Sequence, residues 1–314
     1  MTTNGFARKS LFSLSTFAAV AGGAGLMLSA GIAGAGIADT KHNLSSGSLT
    51  GTNKFSAVGE ICVFCHTPHG ADTAAPVPLW NRKLTPGGQY MTYDQLGTST
   101  LDATVLSVGS VSLACLSCHD GTQAMNTMLN QPGSGGYFST GSTMTGTWTG
   151  PASGGIPTGS LNYGSIVNIG TDLKNDHPVG MQFCGGGITA VGAVISGGCA
   201  DDSFYATTIS PPPHLSVKSV NGNPVFWVDS EGSLTGGSGP GTKPAVGSGV
   251  RNKTDLMLYT RPLTVGGAMN QPFVECATCH DPHSSNVTFL RVPNNTQSGL
   301  VSVGSALCLT CHSK

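Results

Sequence analysis

Arg8 and Lys9 precede an uncharged run from Ser10 to Ala38, which carries the apolar stretches Leu11-Phe12 and Ala18-Ala19-Val20 and then small residues. Ala33-Gly34-Ala35 supplies an A-x-A site, so residues 1–38 read as a secretory signal peptide cleaved near Ala35 or Ala38. The run is long enough to span a bilayer, but Gly and Ser dilute it, which favours cleavage over a retained anchor. A polar arm follows over residues 39–60 and contains His42. Further on, the interval from Gly121 to Val274 is rich in Gly, Ser and Thr and offers few helix-forming runs. Within it, Val217-Lys218-Ser219-Val220 and Val225-Phe226-Trp227-Val228 flank Asn221-Gly222-Asn223-Pro224 and predict a short hairpin. Gly232 to Gly249 predicts a loop. The expected fold class is mostly irregular coil, with short helices at four cysteine motifs and a few short β-strands.

Composition sharpens that picture. Charged residues are 9% of the 314, against about 25% in an ordinary soluble domain, and aromatics are only 6%. With 46 Gly and 18 Pro besides, a conventional aromatic-rich core is not expected, and something else must organise the chain. The net charge of −1 leaves no basic excess to neutralise phosphates, so no nucleic-acid partner is expected. Nor is the chain disordered in the highly charged manner.

Eight of the ten cysteines fall in one pattern, C-x-x-C-H: Cys62-Val-Phe-Cys65-His66, Cys115-Leu-Ser-Cys118-His119, Cys276-Ala-Thr-Cys279-His280 and Cys308-Leu-Thr-Cys311-His312. Two thiols three residues apart share one helical turn and can form thioethers to the two vinyl groups of one haem. The next residue then turns its imidazole to the iron as proximal ligand. Chance would supply roughly 0.01 such motifs in this composition. Zinc knuckles or disulfides give no reason for a histidine after every cysteine pair. Four covalently bound haem c groups are expected, attached through these eight cysteines and ligated by His66, His119, His280 and His312. The motifs divide the chain into a first haem-pair region at 61–185, a Gly/Ser-rich insert at 186–270 and a second haem-pair region at 271–314.

His42, His69, His177, His214 and His283 remain, five candidates for four distal positions. His69 and His283 each stand three residues after a proximal histidine, behind a proline. That step cannot cross the ring edge to the far face of the same haem, so each would ligate a neighbouring haem and pin haems into close pairs. From residue counts alone any four of the five serve. Nine methionines offer another axial ligand, but with histidines in surplus, bis-histidine ligation is simpler. It leaves no open iron, which favours an electron carrier over an enzyme. Cys184 and Cys199 lie outside the pattern and predict a disulfide around a glycine-rich loop, worth around 3 kcal/mol in the chain-entropy model.

Cys62-Val-Phe-Cys65-His66-Thr-Pro-His69-Gly70, followed by Leu79-Trp80-Asn81-Arg82, resembles the opening of multihaem cytochromes c with doubled C-x-x-C-H modules. Cys115 to Thr122, Asp176-His177-Pro178-Val179, Val274 to His283 and the C-terminal Cys308 to Lys314 continue the likeness. In motif order and haem number the chain is most similar to the OmcE-type tetrahaem cytochromes of metal-reducing bacteria. The resemblance implies a haem-organised, secreted subunit that polymerises with itself into an extracellular filament. Such a filament takes electrons from upstream redox-partner cytochromes to acceptors such as metal oxides or electrodes. It also implies that His177 and His42 join His69 and His283 as distal ligands. A ligand donated from one subunit to the next is a feature of such filaments, and His42, on its arm, is the candidate. The alternatives are a soluble periplasmic tetrahaem shuttle and a multihaem reductase with one open haem.

Overall fold

The structure, a computed structural model, describes Met1 and residues 36–49, 53–133, 135–149, 167–176, 178–192, 199–204, 215–230, 251–292 and 306–312. The chain divides into two units, Met1–Ala35 and Gly36–Lys314, and all the strands and helices named here belong to the second. Apart from Met1 and residues 36–38, the segment read as a signal peptide lies outside the described residues. Among the described residues no helix is long and apolar enough to cross a membrane.

In chain order the elements are β1 (Lys54–Phe55), α1 (Ser112–His119), β2 (Thr127–Asn130), β3 (Tyr137–Thr143), β4 (Trp148–Thr149) and β5 (Met181–Gln182). Then come β6 (Leu215–Val220), β7 (Asn223–Val228), β8 (Leu256–Arg261), β9 (Gln271–Val274) and α2 (Cys276–Cys279). Short 3-10 turns at Cys62–Phe64 and Cys308–Thr310 carry the first and last cysteine motifs. β1 pairs with β4 and β2 with β3, while the remaining strands form a five-stranded antiparallel sheet in the order β5-β9-β8-β7-β6.

The predicted hairpin is present, with longer strands than the sequence suggested. Asn221 and Gly222, at φ 51° and 79°, form the whole turn. Both central residues of such a two-residue connection need positive φ, which Asn and Gly supply at least strain. Asn223 and Pro224 therefore belong to β7, and the pairing runs from Leu215↔Val228 to Val220↔Asn223. The sheet also joins the regions that the motifs had separated. β5 comes from the first, β6 to β8 from the Gly/Ser-rich interval, and β9 leads into the third cysteine motif.

The expectation that something other than a hydrophobic core must organise the chain is corrected. Three buried clusters built mainly of aliphatic side chains and methionines, with few aromatics, stand behind the motifs. One gathers Trp80, Leu84, Val108, Leu113, Leu116 and Leu173, with Cys65 and Cys276 against it. Another lies under the five-stranded sheet, where Phe183, Ile188, Leu215, Phe226, Leu256 and Leu258 meet, with Cys311 at its side. The third holds Leu44, Phe55, Phe64, Met125, Met128 and Met144 against Cys65 and Cys118. Aliphatic residues bury enough area for this at about 25 cal/mol per Å², so low aromatic content was a poor guide. The Cys184–Cys199 disulfide is formed and belongs to the second cluster. The arm is likewise no free edge: Thr40, Asn43, Leu44, Ser45 and Ser48 are buried, and Phe55 donates its N–H to the Leu44 carbonyl.

Candidate haem-binding site

Each cysteine motif is closed by its own backbone. His66, His280 and His312 donate their N–H groups to the carbonyls of Cys62, Cys276 and Cys308 at 2.7, 3.0 and 2.9 Å. His119 ends α1, so Cys115, Cys118 and His119 share its last turn. Both thiols and the imidazole thus lie on one short turn in every motif.

The imidazoles are held alike. Nδ1 of His66 lies 2.7 Å from the Pro78 carbonyl, that of His119 2.7 Å from the Val167 carbonyl, and that of His280 2.8 Å from the Thr288 carbonyl. Nδ1 of His312 lies 3.0 Å from Ser203 Oγ. A carbonyl can only accept, so Nδ1 carries the proton in the first three and Nε2 is left as the donor atom for a metal, as in carbonyl-oriented metal-binding histidines.

The first and third motifs share more than sequence. His66 bridges Trp80 and His280 bridges Leu290, while Asn81 and Arg291 donate N–H groups to the Cys65 and Cys279 carbonyls at 2.8 and 2.9 Å. The carbonyl facing each imidazole sits two residues before the bridged residue. The residue between, Leu79 or Phe289, is left-handed at φ 58° or 59°. Non-glycine residues in that region cost about 1–3 kcal/mol each and persist where the surroundings fix them. Here the strain turns a carbonyl onto a histidine. Sequence reasoning missed Pro78, Val167 and Thr288, because an accepting carbonyl leaves no mark in residue type.

Two histidine pairs face each other. The rings of His66 and His283 are 6.3 Å apart between centres and 16° from parallel; those of His42 and His119 are 6.1 Å apart at 70°. With metal–imidazole bonds of about 2 Å on each side and the ring radii added, two imidazoles trans on one metal have centres roughly 6 Å apart. The second member of each pair is oriented through Nδ1 as well: His283 contacts Asp281 Oδ1 at 3.3 Å and His42 the Pro282 carbonyl at 3.4 Å. Burial, reinforced by the neighbouring His119, pushes His42 down to about 4, and burial also lowers His119. Both are therefore neutral at neutral pH, the state in which imidazole ligates. The cysteine pairs and imidazoles present fit a covalently attached haem, which His66 with His283 and His119 with His42 would hold.

His42 lies beside His119 of its own chain, with ring centres 6.1 Å apart. His69 is exposed, with its carbonyl held by Thr67 Oγ1 at 2.9 Å and Asn130 Nδ2 at 2.8 Å. His177 and His214 lie outside the described residues.

The cysteines follow one another in motif order. Cys65 lies within electrostatic reach of Cys118, the thiols of Cys115 and Cys276 hydrogen-bond, and Cys279 is near Cys308. The middle junction is clamped. Ser112 Oγ donates to Glu275 Oε2 at 2.5 Å and accepts from the Cys276 N–H at 3.0 Å, while Arg261 meets Glu275 Oε1 at 3.3 Å. Burial pushes the Glu275 carboxyl up to about 7, against the opposing pull of Ser112 and Arg261. The protonated form is thus favoured on folding. The associated stability is present in full below the ordinary carboxyl range and lost as pH rises through about 7, on the order of 3 kcal/mol. Glu275→Gln is expected to flatten this decline. Melting curves between pH 5 and 8 that fall in parallel for variant and wild type would contradict it.

The family described as a doubled CXXCH motif matches residues 270–314, which hold the third and fourth motifs. No curated protein matches the chain. On the motif geometry and this match, the chain is similar to multihaem c-type cytochromes: its motifs indicate covalently bound c-type haem and a haem-binding cytochrome with an electron-transfer role.

Proposed function

We propose that the chain carries four haems, one on each C-x-x-C-H motif, and relays electrons along them as the subunit of an extracellular filament. The observation that carries the relay is the order of the motifs in space: the Cys115 and Cys276 thiols hydrogen-bond, and Cys65 and Cys279 lie within electrostatic reach of Cys118 and Cys308, which supports a path from each motif to the next. Haem iron supplies one-electron exchange when bound, and with imidazole on both faces it does not take up substrate. The protein's own part is to fix the imidazoles: His66 with His283, His119 with His42, and His280 and His312 with distal partners drawn from His69 and His177. The modules carrying His66 and His280 are local duplicates, and His283 of the second already faces His66 of the first.

The filament rests on the resemblance of the motif series and on the low charge, 9% of residues with a net of −1, which offers little repulsion between copies. Upstream cytochromes supply its electrons, and mineral or electrode surfaces receive them. Intact-mass analysis is expected to show four haems per chain, and electron microscopy of secreted material a regular filament. Fewer haems would refute the relay. Particles of one-subunit mass at every concentration would refute the filament and favour a periplasmic shuttle.

A further inference from the structure

Three of the four proximal histidines rest on backbone carbonyls, and His312 alone rests on a side chain. Ser203 Oγ lies 3.0 Å from His312 Nδ1 and gives its own proton to Asp201 Oδ1 at 2.5 Å. With that proton directed to the carboxylate, a lone pair of Oγ accepts from Nδ1–H, and a chain forms from carboxylate to hydroxyl to imidazole. Asp201 Oδ1 also accepts the Ser203 N–H at 2.8 Å. The Asp201 N–H in turn donates to the carbonyl of Cys184, one end of the disulfide, at 3.2 Å. Phe204 completes the arrangement: its backbone bridges His312, its ring lies 4.3 Å from the imidazole, and Phe183 packs edge-on against it at 5.1 Å.

A hydroxyl polarised by a carboxylate pulls harder on Nδ1–H than a neutral carbonyl does. Greater imidazolate character makes Nε2 a stronger donor, which stabilises the oxidised iron over the reduced. Negative charge one hydroxyl away acts in the same direction, and the half-buried setting screens it less than bulk water would. We infer that Asp201 and Ser203 are positioning residues that lower the potential of the fourth haem below what a carbonyl-held histidine would give. This makes the C-terminal motif electronically distinct from the other three. The inference rests on the reading that Cys308, Cys311 and His312 hold a haem.

The test is an optical redox titration of the purified, fully loaded protein, beside its variants. Ser203→Ala and Asp201→Asn are both expected to raise the midpoint of one quarter of the haem amplitude and leave the rest in place. The displacement is expected to be about tenfold in the ferrous-to-ferric ratio at fixed potential, near 59 mV for one electron. Ser203→Thr keeps the hydroxyl and is expected to restore the wild-type curve. Asparagine preserves the turn but removes the charge, so a purely structural role would leave the Asn variant unchanged, and that outcome overturns the inference. A uniform shift of all four components overturns it as well. If Ser203→Ala loses haem through misfolding, the Asn variant alone decides. Intact mass keeps the two layers apart: fewer than four haems in the wild type removes the underlying reading, whereas four haems with an unmoved curve refute this inference alone.

Discussion

His283→Ala is expected to leave all four haems attached and to open one iron, the one held by His66. The attaching thiols, Cys62 and Cys65, lie on a turn that the substitution does not touch. What goes is the imidazole 6.3 Å from His66, which reaches that position from a module more than two hundred residues later in the chain. The reduced variant should therefore bind one carbon monoxide per chain and show a high-spin band, where the wild type shows neither. His42→Ala should do the same at His119, its partner at 6.1 Å, and the double variant should bind two. His283 is tied to Asp281 and His42 to the Pro282 carbonyl, so each variant should report on its own partner. Carbon monoxide binding by the wild type would favour an open-haem reductase. If neither single variant bound it, the facing histidines would not be axial ligands.

The chemistry of this chain was legible because covalent attachment needs fixed residues at fixed spacing. Cys62 to His66 and its three repeats could be read directly, as could the pairing of Cys184 with Cys199. The Asn221-Gly222 turn was legible for a similar reason, since few residues tolerate positive φ at two successive positions. The partners of the histidines were not. The carbonyls of Pro78, Val167 and Thr288 act through the backbone, and strained Leu79 and Phe289 carry no residue signature for it. The meeting of His66 with His283 could be anticipated only as some neighbouring pair, because a three-residue step excludes one haem without choosing another. The core was misjudged for a different reason. Composition averages over the chain, whereas Leu113, Leu116, Leu173 and Val108 are gathered at one place by folding.

The largest stability effect is expected at Arg82, among the described residues the bulkiest side chain that is fully buried. Its guanidinium donates to the Ser117 carbonyl from Nε and Nη2 at 3.3 and 3.2 Å, to Met125 at 2.9 Å and to Ala124 at 2.9 Å. Ser117 lies between Cys115 and Cys118, so an arginine of the first module clamps the second motif in place. Adjacent Asn81 ties the first motif to β2, donating to the Val63 and Asn130 carbonyls at 2.7 and 2.9 Å. Methionine at position 82 would fill much of the volume but take away the guanidinium donors of three buried carbonyls. Ala124 keeps the Thr127 N–H at 3.1 Å as a second partner, so the loss falls hardest on Ser117 and Met125. Stranded buried acceptors cost about 1–3 kcal/mol each. At about 2–4 °C per kcal/mol, Arg82→Met should lower the melting temperature by roughly 10 °C. Lys83→Met is the control. Its ammonium is exposed and meets Asp72 only at 3.9 Å, so the change should be within about 0.5 kcal/mol. If the two variants melted together, the arginine would not be holding the motifs in register. If Arg82→Met melted low yet kept its haem count, attachment would depend on the local turn, and the relative placement of neighbouring motifs on this buried fork.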